Sequence, residues 1–195
     1  LCHGCAACSV ACKYSAIRDS YKFIGKVTSY KTDEDGACMF EAKMTPGVSS
    51  PVPIIKSAVK MAVKQANQQN ADYVILDSPP GTACPFIQTA SHADFVVLVT
   101  EPTPFGLSDL KQSVDTLKTM GKEMGVVVNR AGLGNRDVYQ YLEKESIPLL
   151  GEIPFNKKVA FLYSEGRIAV KELSSLQVIF EDIVNNIVSY GNSSN

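Results

Sequence analysis

The chain has 195 residues, 45% hydrophobic and 20% charged, which suits one sizeable core with room for a small appended module. A net charge of −1 excludes bulk electrostatic attraction to nucleic acid or to anionic lipid. No apolar run reaches the roughly 18 residues of a membrane span, and the opening residues do not read as a secretory signal.

Residues 1–20 form the first region, a cysteine loop with a short tail. Four of the six cysteines cluster there as Cys2, Cys5, Cys8 and Cys12, while Cys38 and Cys84 stand apart. Such clustering is not how a disulfide scaffold spreads its bridges, and it points to metal-binding thiolates in a reducing cytoplasm. The spacing C-x2-C-x2-C-x3-C is that of a bacterial-type ferredoxin loop, which holds a 4Fe–4S cluster. Gly4 and the neighbouring alanines let the backbone approach the cluster sulfides. The fourth cysteine turns away from the first site, and in two-cluster ferredoxins it ligates the other cluster. Zinc and unligated thiols are the plainer readings, but structural zinc usually joins two knuckles across a long spacer and this run is compressed. Lys13 stands where the ferredoxin pattern has proline. The sequence starts Leu1-Cys2 and so reads as a processed or shortened piece of a longer protein.

Residues 21–45 read as a β-hairpin: Phe23, Ile24 and Val27 lead in, Thr32 to Gly36 carry turn chemistry, and Ala37 to Phe40 return. From there to residue 195 helix and strand alternate, which predicts an α/β domain with a mostly parallel sheet flanked by helices. Pro53 suits the first turn of a helix whose stripe is Ile54, Ile55, Ala58, Val59, Ala62 and Val63. Tyr73-Val74-Ile75-Leu76, Phe95 to Val99 and Met124 to Val128 are short apolar runs of the kind found in strands buried on both faces. Helices are expected near 83–92, 107–120, 135–145 and 173–190, with a short strand near 148–152. The polar tail Gly191 to Asn195 is expected to be disordered.

The run Asp72-Tyr73-Val74-Ile75-Leu76-Asp77-Ser78-Pro79-Pro80-Gly81-Thr82 ends an apolar strand in an aspartate and a rigid turn. Ligands in open α/β sheets bind at the carboxyl ends of strands, where Asp77 could hold Mg²⁺ and Gly81 could present a bare N–H to a phosphate. A ligand-free loop is the plain alternative for Asp77 taken alone. The whole run resembles the Walker B and switch II segment of the MinD/ParA/nitrogenase-iron-protein ATPases. Thr100-Glu101-Pro102-Thr103-Pro104-Phe105-Gly106-Leu107, Val128-Asn129-Arg130 and Gly151-Glu152-Ile153-Pro154 follow in the order of that superfamily. With the cysteine loop, residues 1–175 are similar to its subfamily carrying an inserted ferredoxin domain between P-loop and Walker B portions.

The resemblance implies a nucleotide switch that couples ATP state to iron–sulfur cluster or electron transfer. It implies Mg²⁺ at Asp77, γ-phosphate sensing at Gly81, adenine bonded by Asn129, and Arg130 with the backbone around Pro154 lining the base. Implied partners are ATP and a redox or apo-iron–sulfur protein, with a possible homodimer and neither nucleic acid nor membrane. One departure is clear. A P-loop reads G-x-x-x-x-G-K-[ST], and the only Gly-Lys pairs, Gly25-Lys26 and Gly121-Lys122, lack both the earlier glycine and the hydroxyl residue. ATP hydrolysis is therefore expected of a longer protein and not of these residues alone. A non-hydrolysing ferredoxin-like carrier or cluster scaffold is the first alternative. A positioning-type ATPase is the second, poorly supported because the helix from Leu173 to Tyr190 has little basic charge.

Other residues have plain readings. Cys84 and Cys38 are expected to be small buried apolar groups. His3 suits a surface position, His92 a helix cap or solvent contact, and Lys111, Lys118 and Lys122 a solvated helix face.

Overall fold

A computed structural model describes residues 6–18, 20–31 and 37–193, with side chains to residue 190. The chain divides into two compact units, residues 1–79 with 83–89 and residues 80–82 with 90–195. Among the described residues no helix is long and apolar enough to cross a membrane.

The N-terminal unit opens with a short helix, α1 (Ala7–Ala11), that ends at Cys12. Strands β1 (Gly25–Lys31) and β2 (Cys38–Met44) pair antiparallel, from Gly25 opposite Met44 to Lys31 opposite Cys38, as the hairpin pattern predicts. The expected turn at 32–36 lies outside the described residues. Helix α2 (Val52–Gln69) packs against the hairpin, with Pro53 in its first turn and Ile54 and Val59 buried. Of the expected stripe only Val63 lies in the exposed class. A side chain at Gly25 would overlap Ile54 and the Lys43 carbonyl, so this glycine sets how closely strand and helix approach. Asn70 ends α2 in the left-handed region, its successor Ala71 donating to the Ala66 carbonyl as in a Schellman cap. Helix α3 (Cys84–Ala90) closes this part of the chain.

In the C-terminal unit β3 (Phe95–Thr100), β4 (Glu123–Ala131) and β5 (Leu149–Pro154) form a parallel sheet in the order β3-β4-β5. Helices α4 (Pro104–Thr119) and α5 (Asp137–Glu145) make the two crossovers. Residues Val126 to Val128 of β4 are buried. Val127 joins Leu150 and Ile183 in one cluster, against which Ile179 and Ile187 of α8 (Ser174–Ser193) pack. Alternation along the strand turns Val126 and Val128 to the opposite face, and both are fully buried there. Gly151 lets α8 close down, since an added Cβ would lie 2.5 Å from Ile183 Cγ1. Helix α4 ends in a Schellman cap, with Gly121 at φ +64°, Gly121 N–H to the Lys118 carbonyl (3.1 Å) and Lys122 N–H to that of Leu117 (3.0 Å). Gly121-Lys122 is thus a helix stop, and Gly25-Lys26 the start of a strand.

Three expectations about these elements are corrected, and two further helices appear. Tyr73 to Leu76 belong to neither sheet, and Ile75 is 93% exposed; an apolar run becomes a strand only when a neighbour pairs with its backbone. Gly191 to Ser193 are not a disordered tail but continue α8, because the helix is held by its packed face and not by local propensity; residues 194–195 lie outside the described set. Lys122 is not on a helix face: its ammonium donates to the carbonyls of Ser91 (3.0 Å) and Ala93 (2.7 Å). Two short helices, α6 (Lys157–Ser164) and α7 (Ala169–Glu172), were not anticipated. The signal for α6 was Asn156, whose side chain caps it by accepting from Lys158 N–H at 2.8 Å.

Candidate functional site at the carboxyl edge of the parallel sheet

Three chain segments meet where the strands of the C-terminal unit end. The first follows β3. Thr100 Oγ1 donates to the Gly106 carbonyl at 3.0 Å, and Thr103 caps α4 by accepting from Gly106 N–H at 3.0 Å. Thr103 N–H also donates to the Glu101 carbonyl at 2.7 Å. A Cβ on Gly106 would overlap that same carbonyl, so only glycine fits this turn. The second is the end of β4. Pairing with β5 runs Asn129 to Ile153 and then skips to Ala131 and Pro154, leaving Arg130 as an extra residue in a bulge at φ +53°. Arginine is uncommon in the left-handed region, and such strain collects at functional positions. Asn129 Oδ1 accepts the Arg130 backbone N–H at 3.0 Å and so holds the bulge. The third is the loop after β4, where Gly134 at φ +81° has its α-carbon against the Pro102 carbonyl, and Asn135 N–H donates to that oxygen at 3.3 Å. The two loops are thereby locked to each other.

Across this edge Glu101 and Arg130 form an ion pair, Oε1 to Nε at 3.3 Å and Oε2 to Nη1 at 3.4 Å. Asn129 is half-buried, while Arg130 and Pro154 are exposed. Three of the predicted base-site residues, Asn129, Arg130 and Pro154, are therefore brought together on neighbouring strand ends. Asp77 is exposed and lies in the N-terminal unit, and Gly81 sits at φ +87° with open space around its α-carbon, consistent with a backbone that a ligand can approach. Glu101 was visible in the sequence motif but had no role there. The signal that could have found it was a carboxylate at a strand end two elements from an arginine at another.

Beside this edge a groove of about 620 Å³ runs between α5 and β5, lined by Arg136, Tyr139, Leu142, Leu149 and Glu152 among others. Tyr139 donates its hydroxyl to Glu152 Oε1 at 2.5 Å. Burial, aided by that bond, pushes the phenol up to about 12.

Of the four predicted cluster ligands, Cys2 and Cys5, with His3, lie outside the described residues. Cys8 is exposed and Cys12 half-buried, and neither is in a disulfide. Cys12 Sγ accepts the Ala16 N–H at 3.4 Å, and backbone N–H groups of Ala16 and Tyr14 hold this thiol below its ordinary range. Amide donors to cysteine sulfur are also found at iron–sulfur ligands, where they help set the potential. No group of three or more metal-binding side chains converges among the described residues. Cys84 is exposed, against the expectation of burial, because at the first position of α3 it stands on the side of the helix opposite its buried residues Phe86, Thr89 and Ala90. Cys38 is half-buried and accepts from Gln69 Nε2 at 3.8 Å. His92 is exposed in the turn after α3. Lys118 pairs with Glu145 at 2.6 Å and Lys111 lies over the Tyr141 ring, so α4's lysines tie it to α5.

A parallel sheet flanked by helices is the architecture this chain shares with MinD-like P-loop NTPases. Residues 39–188 match the ParA model of NUBPL iron-transfer P-loop NTPases, and the chain belongs to that family. The cell division ATPase MinD of Pyrococcus furiosus superposes with a TM-score of 0.62 at 22% identity, over 83% of this chain and 69% of that one. MinD of Aquifex aeolicus gives 0.57 at 23% identity, over 70% and 60%. Both show the shared fold. An uncharacterized protein of Methanocaldococcus jannaschii is 29% identical over 189 residues, 96% of this chain and 63% of that protein. The cytosolic Fe-S cluster assembly factor Nubp2 homolog of Aedes aegypti is 28% identical over 149 residues, 66% of this chain and 58% of that protein. The chain thus spans less than two thirds of the length of these relatives.

Proposed function

We propose that this chain is the switch and cluster-binding part of a nucleotide-dependent iron–sulfur cluster carrier. The observation that carries the reading is Arg130, held in a strained bulge beside Asn129 at the carboxyl edge of the sheet, where this fold receives ligands. Membership in a family of iron-transfer P-loop NTPases, and likeness to an Fe-S cluster assembly factor, support reading that edge as a nucleotide site in a cluster carrier. In this reading Asn129 offers its carboxamide to the adenine edge, as both donor and acceptor. Arg130 and the backbone around Pro154 flank the base. Asp77 holds Mg²⁺, and Gly81, free of a side chain, turns its N–H to the terminal phosphate. Cys2, Cys5, Cys8 and Cys12 hold a 4Fe–4S cluster, which when bound supplies either the cargo or one-electron chemistry. Cys12 contributes a thiol whose amide donors favour the ligating thiolate. The inserted ferredoxin domain and a cytoplasmic location belong to the same proposal.

A second reading is a scaffold that binds a cluster without hydrolysing ATP; a G-x-x-x-x-G-K-[ST] run in the longer protein would count against it, and its absence from the complete gene would favour it. Anaerobic reconstitution of the whole chain with iron and sulfide tests the cluster: about four irons per chain are expected, and Cys8→Ser or Cys12→Ser should lower that number. Failure to retain about four irons would count against a complete cubane. Transfer of the cluster to an apo-ferredoxin, with and without MgATP, separates the readings, since a scaffold transfers equally in both. These residues alone should hydrolyse ATP very poorly or not at all. A magnesium-dependent turnover abolished by Asp77→Ala would refute that expectation.

A further inference from the structure

We infer that Glu101 is a positioning residue for Arg130, fixing its guanidinium so that the base site exists before nucleotide arrives. The inference rests on reading the Asn129–Arg130 edge as that site. Both oxygens of the Glu101 carboxylate contact the guanidinium, at 3.3 and 3.4 Å. An arginine left to itself samples many rotamers, and ordering it on binding costs affinity. Here each end of the pair is already fixed in the backbone. The Glu101 carbonyl is pinned by Thr103 N–H and crowded by the bare α-carbon of Gly106. Arg130 is pinned by Asn129 Oδ1 and by the bulge. The locked loops at Gly134 and Pro102 hold the two backbones in register. An ion pair between exposed side chains adds little stability, so this rigid framing of one is better explained by what it orients.

The same geometry sets a division of labour. Asn129 spends one lone pair of Oδ1 on the Arg130 N–H, which leaves the second lone pair and the Nδ2 donors for a ligand. Glu101 reaches the ligand only through Arg130, so substituting it should act through that arginine and nowhere else.

The test uses the whole chain, 2′/3′-N-methylanthraniloyl-ADP as a fluorescent probe, and four proteins: wild type, Glu101→Gln, Arg130→Ala and the double variant. Glu101→Gln should weaken probe binding about two- to tenfold, the cost of ordering one rotamer-rich side chain, and should add nothing once Arg130 is gone. In parallel, NMR should show the Arg130 Nε–H exchanging slowly with solvent in wild type and faster in Glu101→Gln, with backbone amide shifts otherwise kept. A residue of merely structural worth would change neither the cycle nor that one proton. If Arg130→Ala weakens binding and Glu101→Gln does not, the positioning role is overturned and the base site stands. If wild type fails to bind the probe, or Arg130→Ala binds as well as wild type, the base site itself is refuted. Unchanged Nε–H exchange in Glu101→Gln overturns the inference whatever the binding shows.

Discussion

Replacing Gly134 with alanine should cost the C-terminal unit about 2–4 kcal/mol, and the sum can be built from three contributions. Gly134 sits at φ +81°, where an L side chain costs about 1–2 kcal/mol. The new Cβ would also fall on the Pro102 carbonyl oxygen, far inside the 3.0 Å that real Cβ atoms keep, and backbone cannot rotate away as a side chain can. Relief requires the two loops to part, which breaks the Asn135 N–H bond to Pro102, worth about 1 kcal/mol. Gly121→Ala is the matched control. It also places a side chain at positive φ (+64°), but nothing lies within 4 Å of its Cβ, so only the backbone cost of about 1–2 kcal/mol applies. Native-state hydrogen exchange of the Val126 to Val128 amides reads the opening of this unit directly and avoids treating the chain as two-state. If Gly134→Ala costs no more than Gly121→Ala, the locked contact between the loops is wrong.

Three further expectations follow from side-chain geometry. Tyr30, Tyr139 and Tyr141 should each ionise later than an ordinary phenol in a spectrophotometric titration, Tyr139 near pH 12, and Tyr139→Phe should remove the step at that pH. Because the folded value is raised, the contribution of Tyr139 to stability is complete below about pH 10 and is lost as pH climbs through the folded value. The Lys118–Glu145 pair behaves in two opposite ways: Lys118 is raised and Glu145 lowered, each chiefly by the hydrogen bond between them. Its contribution should be present in between, fade on acidification below the ordinary carboxylate value of 4.5 and fade again above the lysine value of 10.5; Glu145→Gln should flatten both changes in a melting series. Lys122→Met should destabilise by about 1–3 kcal/mol in thermal melts, since it strips a charged donor from the Ser91 and Ala93 carbonyls; an unchanged melting temperature would show those bonds to be idle.

What the sequence disclosed and what it hid divide along the range of the interactions. The runs Phe95 to Val99 and Met124 to Val128 were readable because apolar continuity over five residues is a local signal for a doubly buried strand. Tyr73 to Leu76 carry the same signal without forming a strand, since pairing is decided by a neighbour elsewhere in the chain. The Asn129–Arg130 pair was legible only through the family's order of motifs. Its bulge was not, for no glycine marks the left-handed position and the register shift depends on β5. Cys84 shows the limit of residue averages: cysteine is most often buried, but its place on the side of α3 opposite Phe86 and Thr89 decides its exposure. Lys122 looked like part of a charged face until the helix stop at Gly121 turned it toward two carbonyls.

The bulge at Arg130 separates heredity for folding from heredity for binding. β4 resumes its pairing with β5 at Ala131 as though residue 130 had been skipped, so the sheet exerts no choice over which side chain stands there. Glycine would suit the local backbone better, and Arg130→Gly should raise stability by about 1 kcal/mol while emptying the site. Sequence drift at this one position can therefore retune or discard a ligand without putting the surrounding sheet at risk.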